Sequence, residues 1–207
     1  MKKELKNVRI TDPKIIEENL AFFEKSREEI NKQVYTSVIE ERARIKKFIC
    51  KAKIKATIED VFENYLDLTA KDLHPNLNVN DLEEGGFYVT SKSKNRITFF
   101  LKKLEKDKEI MVEWFSKDQW FTRTVVFSTN SQNTITKIKY MDISKGKRSI
   151  AGFLERHVAS VYTKKQQLGF LVSMFKLKIS LGIYPPKKIP AIEKRIERVM
   201  NYSRDLF

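Results

Sequence analysis

Arg123 is the residue with the most chemistry to explain. Alternation over residues 119–127 sets it on one strand face with Phe121, Val125 and Phe127, so a permanent cation is expected among apolar side chains. An unpaired buried guanidinium is very costly and must meet a carboxylate, water or the acidic group of a ligand. On the ligand reading, Arg123 anchors the carboxylate or phosphate of a mainly apolar molecule, with Tyr140 and Thr136 as nearby hydrogen-bonding groups. The structural readings are an ion pair with Glu155, or a sheet edge where Arg123 reaches water.

Other reactive groups are sparse. His157 falls on the inner stripe of a long helix and is expected as a satisfied core histidine rather than a catalytic base. His74 is far from it in sequence, and no Cys or carboxylate set has metal-ligand spacing, so neither a metal nor another cofactor is expected. Cys50 sits on the apolar face of a strand and reads as a small core residue, not a nucleophile. There is no Gly-rich phosphate loop, no nucleophile elbow and no convincing pair of acids. The sequence gives enzymatic activity no support.

These side chains must be positioned by a sheet. In residues 48–56, Phe48, Cys50, Ala52, Ile54 and Ala56 alternate with Lys51, Lys53 and Lys55, as in a half-buried strand, and Lys47 precedes them on the charged face. Further strands are expected at 87–91, 96–104, 109–116, 119–127 and 133–142, separated by short polar turns. A two-residue turn at 117–118 pairs Val112 with Arg123. Turns at 105–108 and 129–132 then bring Ile97, Phe99, Leu101, Ile110, Val112, Trp114, Phe121, Arg123, Val125, Phe127, Thr136, Ile138 and Tyr140 onto one face. Three separate turn assignments give one mostly apolar face, which a one-residue slip would scatter. The sheet is expected to be antiparallel, with that face inward.

Helices flank the sheet. Asp12-Pro13 starts one, with Ile16, Leu20, Phe23, Ile30 and Val34 at helical spacing and Arg27 interrupting the seam. Residues 35–45 read as irregular or helical. Thr57 can cap a helix carrying Val61, Phe62, Tyr65 and Leu66, followed by a short second helix over 69–73 that His74-Pro75 stops. Ser149 can cap a long helix ending near Gly182. After a hinge at 185–190, Ile192, Ile196, Val199, Ser203 and Leu206 form a short seam, expected to pack on the first helix or on a second subunit.

Composition narrows the class. The chain has 207 residues, one cysteine and a formal net charge of +14. A lone cysteine and the lack of an apolar leader after the charged N-terminus suit a reducing, cytoplasmic setting. From residue 145 onward fourteen Lys and Arg stand against four acidic residues, an excess that invites nucleic acid or an anionic membrane surface. Residues 168–184 are apolar nearly all round but carry Lys176 and Lys178. They are too short and too charged for a membrane span, so any membrane contact would be peripheral.

The stretch Ala52-Lys-Ile54-Lys-Ala56-Thr-Ile-Glu-Asp-Val61-Phe62, followed by antiparallel strands and a long last helix, resembles the START-like (SRPBCC, helix-grip) superfamily. The resemblance covers about residues 46–182 and is closest to a bacterial family of that superfamily with no assigned function. Many members have Pro after the capping residue, where this chain has Ile58. The resemblance implies an α+β fold in which a curved antiparallel sheet wraps a long C-terminal helix and encloses a cavity. The expected division is an N-terminal helical extension at 1–45, a START-like domain at 46–184 and a C-terminal helix at 185–207. Members include lipid carriers, hormone receptors, cyclases and chaperone activators, so the fold assigns no activity by itself. The leading expectation is binding of a hydrophobic or amphipathic small molecule, a lipid among them, between sheet and last helix. Twelve residues are expected to line that cavity: Ile97, Phe99, Leu101, Val112, Trp114, Phe121, Arg123, Val125, Thr136, Ile138, Tyr140 and His157. The alternatives are a basic module holding nucleic acid or anionic membrane, and a chaperone-associated or scaffolding domain that forms a homodimer through its terminal helices.

Overall fold

The computed structural model describes residues 8–73, 75, 77–89, 97–116, 119–146 and 153–205, with side chains at all of these but 39, 42, 43, 153–160 and 162. Seven strands form one sheet: β1 (Arg9–Ile10), β2 (Ile45–Ile54), β3 (Phe87–Val89), β4 (Thr98–Glu105), β5 (Glu109–Ser116), β6 (Gln119–Thr129) and β7 (Thr136–Gly146). Their order is β1-β3-β4-β5-β6-β7-β2, and every neighbouring pair is antiparallel. The helices are α1 (Pro13–Asn31), α2 (Val38–Arg44), α3 (Ile58–Leu73), α4 (Phe153–Ser180) and α5 (Ile189–Arg204). The curved sheet closes over α4, which makes this a helix-grip α+β fold.

The inward face forms as its alternation predicts, although two of its turns differ. Val112 pairs with Arg123 across the β5–β6 hairpin, whose turn at 117–118 lies outside the described residues. The β4–β5 turn is one residue shorter than expected: Glu105 pairs with Glu109, and Asp107 takes φ 57. A bulge between Leu101 and Lys103 absorbs the difference, and Leu101 still meets Val112. The β6–β7 loop is longer, running from Asn130 to Ile135. The Asn130 side chain accepts from the backbone N–H of Thr134 and Ile135, each at 2.9 Å, and stabilises it. Pairing therefore slides by four residues along β7, which keeps the face and changes the partners. Arg123 stands opposite Asp142.

The two faces of the sheet carry separate cores. Inside, Phe62, Tyr65 and Leu66 of α3 and Phe170, Met174 and Leu177 of α4 pack against Leu101, Ile110, Val125, Phe127, Ile138 and Tyr140. Phe127 receives the edges of Phe62 and Tyr65 at centroid separations of 5.3 and 5.5 Å. Outside, α1 lays Phe23 among Phe87, Phe100 and Phe115, with centroids 5.4, 5.8 and 4.9 Å away. Arg27 interrupts the α1 seam because it faces Glu113, a fully buried carboxylate of the outer face. The Arg27 Nε lies 3.6 Å from one Glu113 oxygen, and Lys102 Nζ lies 2.6 Å from the other.

Local signals account for most helix limits. The Asp12 side chain accepts from Lys14 N–H at 2.9 Å with Pro13 at the first position. α1 ends at Asn31 rather than Val34, which is 85 % exposed and has no core to join. Thr57 caps α3 by accepting from Asp60 N–H at 3.2 Å. The second helix expected at 69–73 is the continuation of α3, since Thr69 turns its hydroxyl back to the Tyr65 carbonyl at 2.9 Å. Gly182, at φ +64, ends the α4 chain path, and Ile183 N–H closes on the Lys178 carbonyl at 3.0 Å.

α5 does not pack on α1. Its seam residues Ile192, Ile196 and Val199 lie against Val172, Phe175 and Ile179 on the outer side of α4, while Leu206 lies outside the described residues. Of the extra apolar residues in 168–184, expected as those that could meet an anionic bilayer, Met174 and Leu177 are buried in the inner core, Leu181, just past α4, packs against it, and Leu171 packs under α5. Among the described residues no helix is long and apolar enough to cross a membrane.

Candidate ligand cavity

Between the inner face and the helices lies a cavity of about 490 Å3, within the roughly 300–1,000 Å3 of small-molecule sites. Strands supply one wall: Phe99, Leu101, Ile110, Val112, Trp114, Val125 and Tyr140, with Arg123 among them. The opposite wall comes from α3 through Tyr65, Leu66 and Leu73, and from α4 through Phe170 and Val172. α5 adds Val199, Met200, Ser203 and Arg204, close to Lys176 of α4.

Seven of the twelve residues expected to line a cavity do so: Phe99, Leu101, Val112, Trp114, Arg123, Val125 and Tyr140. Phe121 stands behind the wall, stacked on Trp114 at 5.2 Å with an interplanar angle of 5°. Ile138 is packed in the core at 1 % exposure. Thr136 is fully buried and donates its hydroxyl hydrogen to the Ala56 carbonyl at 2.9 Å, so it is a structural tie between β7 and the β2–α3 turn. Ile97 precedes β4 and is not part of the lining. His157 belongs to α4, but its side chain lies outside the described residues, as do His74 and the Glu155 side chain.

The floor of the cavity is a polar cluster. Arg123 donates from Nε and Nη2 to the two oxygens of Asp142, at 2.9 and 3.1 Å. The Tyr140 hydroxyl donates to Asp142 Oδ2 at 2.8 Å. Asp142 is 2 % exposed, whereas 36 % of the Arg123 side chain is accessible, and this portion borders the cavity that it lines. The guanidinium also stacks over the Trp114 and Tyr140 rings, 5.4 and 5.2 Å from their centroids. The carboxylate that Arg123 needs is thus supplied by Asp142, the next inward residue of β7 after Tyr140.

Burial and pairing fix the protonation states. Burial opposes charge on Arg123, but the Tyr140 and Asp142 oxygens outweigh it and hold its pKa above the ordinary arginine value. Burial raises the Tyr140 phenol further than the guanidinium lowers it. Burial likewise pushes Tyr65 up to about 12. At neutral pH the floor is a cation paired with one carboxylate and flanked by neutral phenols. The cluster has no net charge, and its remaining guanidinium N–H groups can donate to an oxygen. Cys50, half-buried against the inner core, has its thiol pKa raised by burial, which lowers its thiolate fraction at neutral pH.

The residues that sequence reasoning missed are the polar ones at the cavity's edges. Asp72, Lys176, Ser203 and Arg204 come from three helices whose relative placement no local pattern states. Tyr65 was legible as an apolar helix position, but not as a cavity wall.

No protein-family model matches the chain, and no curated protein matches it. Solved structures similar to it include an HSP90 activator from Plasmodium falciparum, 20 % identical over 67 % of this chain and 97 % of that one, with a TM-score of 0.45. A protein of unknown function from Staphylococcus aureus is 14 % identical over 67 % and 96 %, at 0.47. Norcoclaurine synthase from Thalictrum flavum is 11 % identical over 56 % and 78 %, at 0.39. At these identities and scores none of them lends this chain an activity.

Proposed function

We propose that this chain binds an amphipathic small molecule, a lipid-like one, in the cavity between sheet and α4. The observation that carries the reading is an apolar cavity of about 490 Å3 converging on the Arg123–Asp142–Tyr140 cluster. An apolar body would gain from leaving water, at about 25 cal/mol per Å2 buried. Because Asp142 already neutralises Arg123, the floor suits a hydroxyl or carbonyl oxygen better than a second carboxylate. An acidic head group would instead be met at Lys176 and Arg204, with Asp72 as the one carboxylate among the described lining residues. The reading requires no reaction.

The test is a cavity-filling substitution. Val112→Trp places an indole in the space from the middle of the strand wall. The wild type should take up a fluorescent fatty-acid probe saturably, and the variant should lose at least tenfold in affinity with an unchanged melting temperature. Equal uptake by both proteins would place the probe elsewhere and count against the cavity.

A further inference from the structure

The face of the sheet turned away from the cavity carries a second feature. β2 is an edge strand, and its outward residues include Lys47, Lys51 and Lys53, with Lys55 just past its end; Lys137 and Lys139 stand beside them on β7. All six are exposed. Lys51 lies directly opposite Lys139, and Lys53 directly opposite Lys137. Like charges in directly opposed cross-strand positions are destabilising. The outward side chains of β2 and β7 include no carboxylate, and among the described residues none of the six lysines is in an ion pair. The nearest acids along the chain are Asp142, buried on the inner face and paired with Arg123, and Glu59 and Asp60, which are engaged by Asn133 and Thr57. The result is an unneutralised stripe about 27 Å long at strand rise, and only two strands wide.

We propose that this stripe binds the phosphate backbone of a double-stranded nucleic acid without reading its sequence. The chemistry of the stripe selects that partner. Its charges are all lysines, which meet phosphates as point charges and lack the planar fork that reads guanine edges. No aromatic residue points outward from β2 or β7, so the stripe has no platform on which unpaired bases could stack. One apolar residue is exposed within it, Ile49 at 43 %, too little to insert into a bilayer interface. A long, narrow row of cations matches a linear polyanion, and phosphates seated on it would relieve the repulsion between the opposed lysines. The proposal is independent of the cavity, which opens on the other face of the sheet.

The experiment is a salt titration of binding to labelled duplexes of mixed sequence, made as DNA and as RNA, followed by fluorescence anisotropy. With each of the six lysines contacting a phosphate, log affinity should fall against log salt with a slope of about −5. The variant carrying Lys51→Gln, Lys53→Gln, Lys137→Gln and Lys139→Gln should flatten that slope by about three to four. It should also melt at a higher temperature than the wild type, because the like-charge pairs are gone. Lys194→Gln with Arg198→Gln, in the basic α5, should leave the slope unchanged. An unaltered slope in the fourfold variant would overturn the proposal, as would failure to bind duplex at low salt. Retention on anionic vesicles in place of duplex would overturn it in favour of a membrane surface.

Discussion

Arg123 and Asp142 act as one unit, and the energetic consequence is specific. Removing either leaves the other's charge buried and uncompensated. Arg123→Met should cost about 3 kcal/mol, the lower end of the range for breaking a buried pair because Arg123 borders the cavity. The double variant Arg123→Met with Asp142→Leu should come within about 1 kcal/mol of the wild type, since an apolar pair of similar size needs no solvation. Urea unfolding of the three proteins measures both. The phenols add a pH dependence. Tyr65 is pushed up to about 12 by burial, from about 10 when unfolded. A raised acid pKa favours the protonated fold, so its stabilisation is complete below pH 10 and is lost as pH climbs through 12. Stability should therefore fall between pH 10 and 12, and Tyr65→Phe should make that fall shallower. The Arg123 pair also shows where the sequence ran out. Alternation placed Arg123 inside without fixing its partner. A four-residue turn sets Ile138 opposite it, whereas the actual six-residue loop, built on Asn130, sets Asp142 there. A slip of four, being even, preserves faces and reassigns every cross-strand contact.

At the scale of elements, the strands were legible because each has one wet face and one dry face, and the hairpins are short. The β4–β5 hairpin shows how robust that signal is: a turn one residue too long and an unforeseen bulge at Lys102 compensate, and Leu101 meets Val112 either way. The helices were legible as helices but not in what they cover. The apolar stripe of α1 has no sequence feature that distinguishes the outside of the sheet from another helix. Only the pairing of Arg27 with the buried Glu113 explains the charge in that stripe. The second core under α1 is small and aromatic, so Phe23→Ala should cost about 3–5 kcal/mol. Probe uptake should persist in the folded fraction, because Phe23 lies on the face opposite the cavity. Differential scanning calorimetry with the binding assay separates the two effects, and loss of uptake at full folding would show that the faces are coupled.

For the whole molecule, the sheet divides the work. Its inner face, with α3, α4 and α5, encloses the apolar space, and its outer face carries α1 at one end and the lysine stripe at the other. The seam of α5 is occupied by α4 of the same chain, which leaves Ser203 and Arg204 at the cavity. None of this assembly is periodic in sequence. The cavity lies between Phe99 and Trp114 of the strand wall and Tyr65 of α3, and a hydrophobicity pattern reports a face, not the distance to the face across from it. The central claim is that the cavity is occupied in the living cell, and its direct measurement is the mass of the protein purified from its native host, under native and then denaturing conditions. The account predicts a discrete non-covalent mass excess that disappears on denaturation and is missing from Val112→Trp. The same native and denatured mass for the wild type, together with no uptake of the fatty-acid probe, would contradict it.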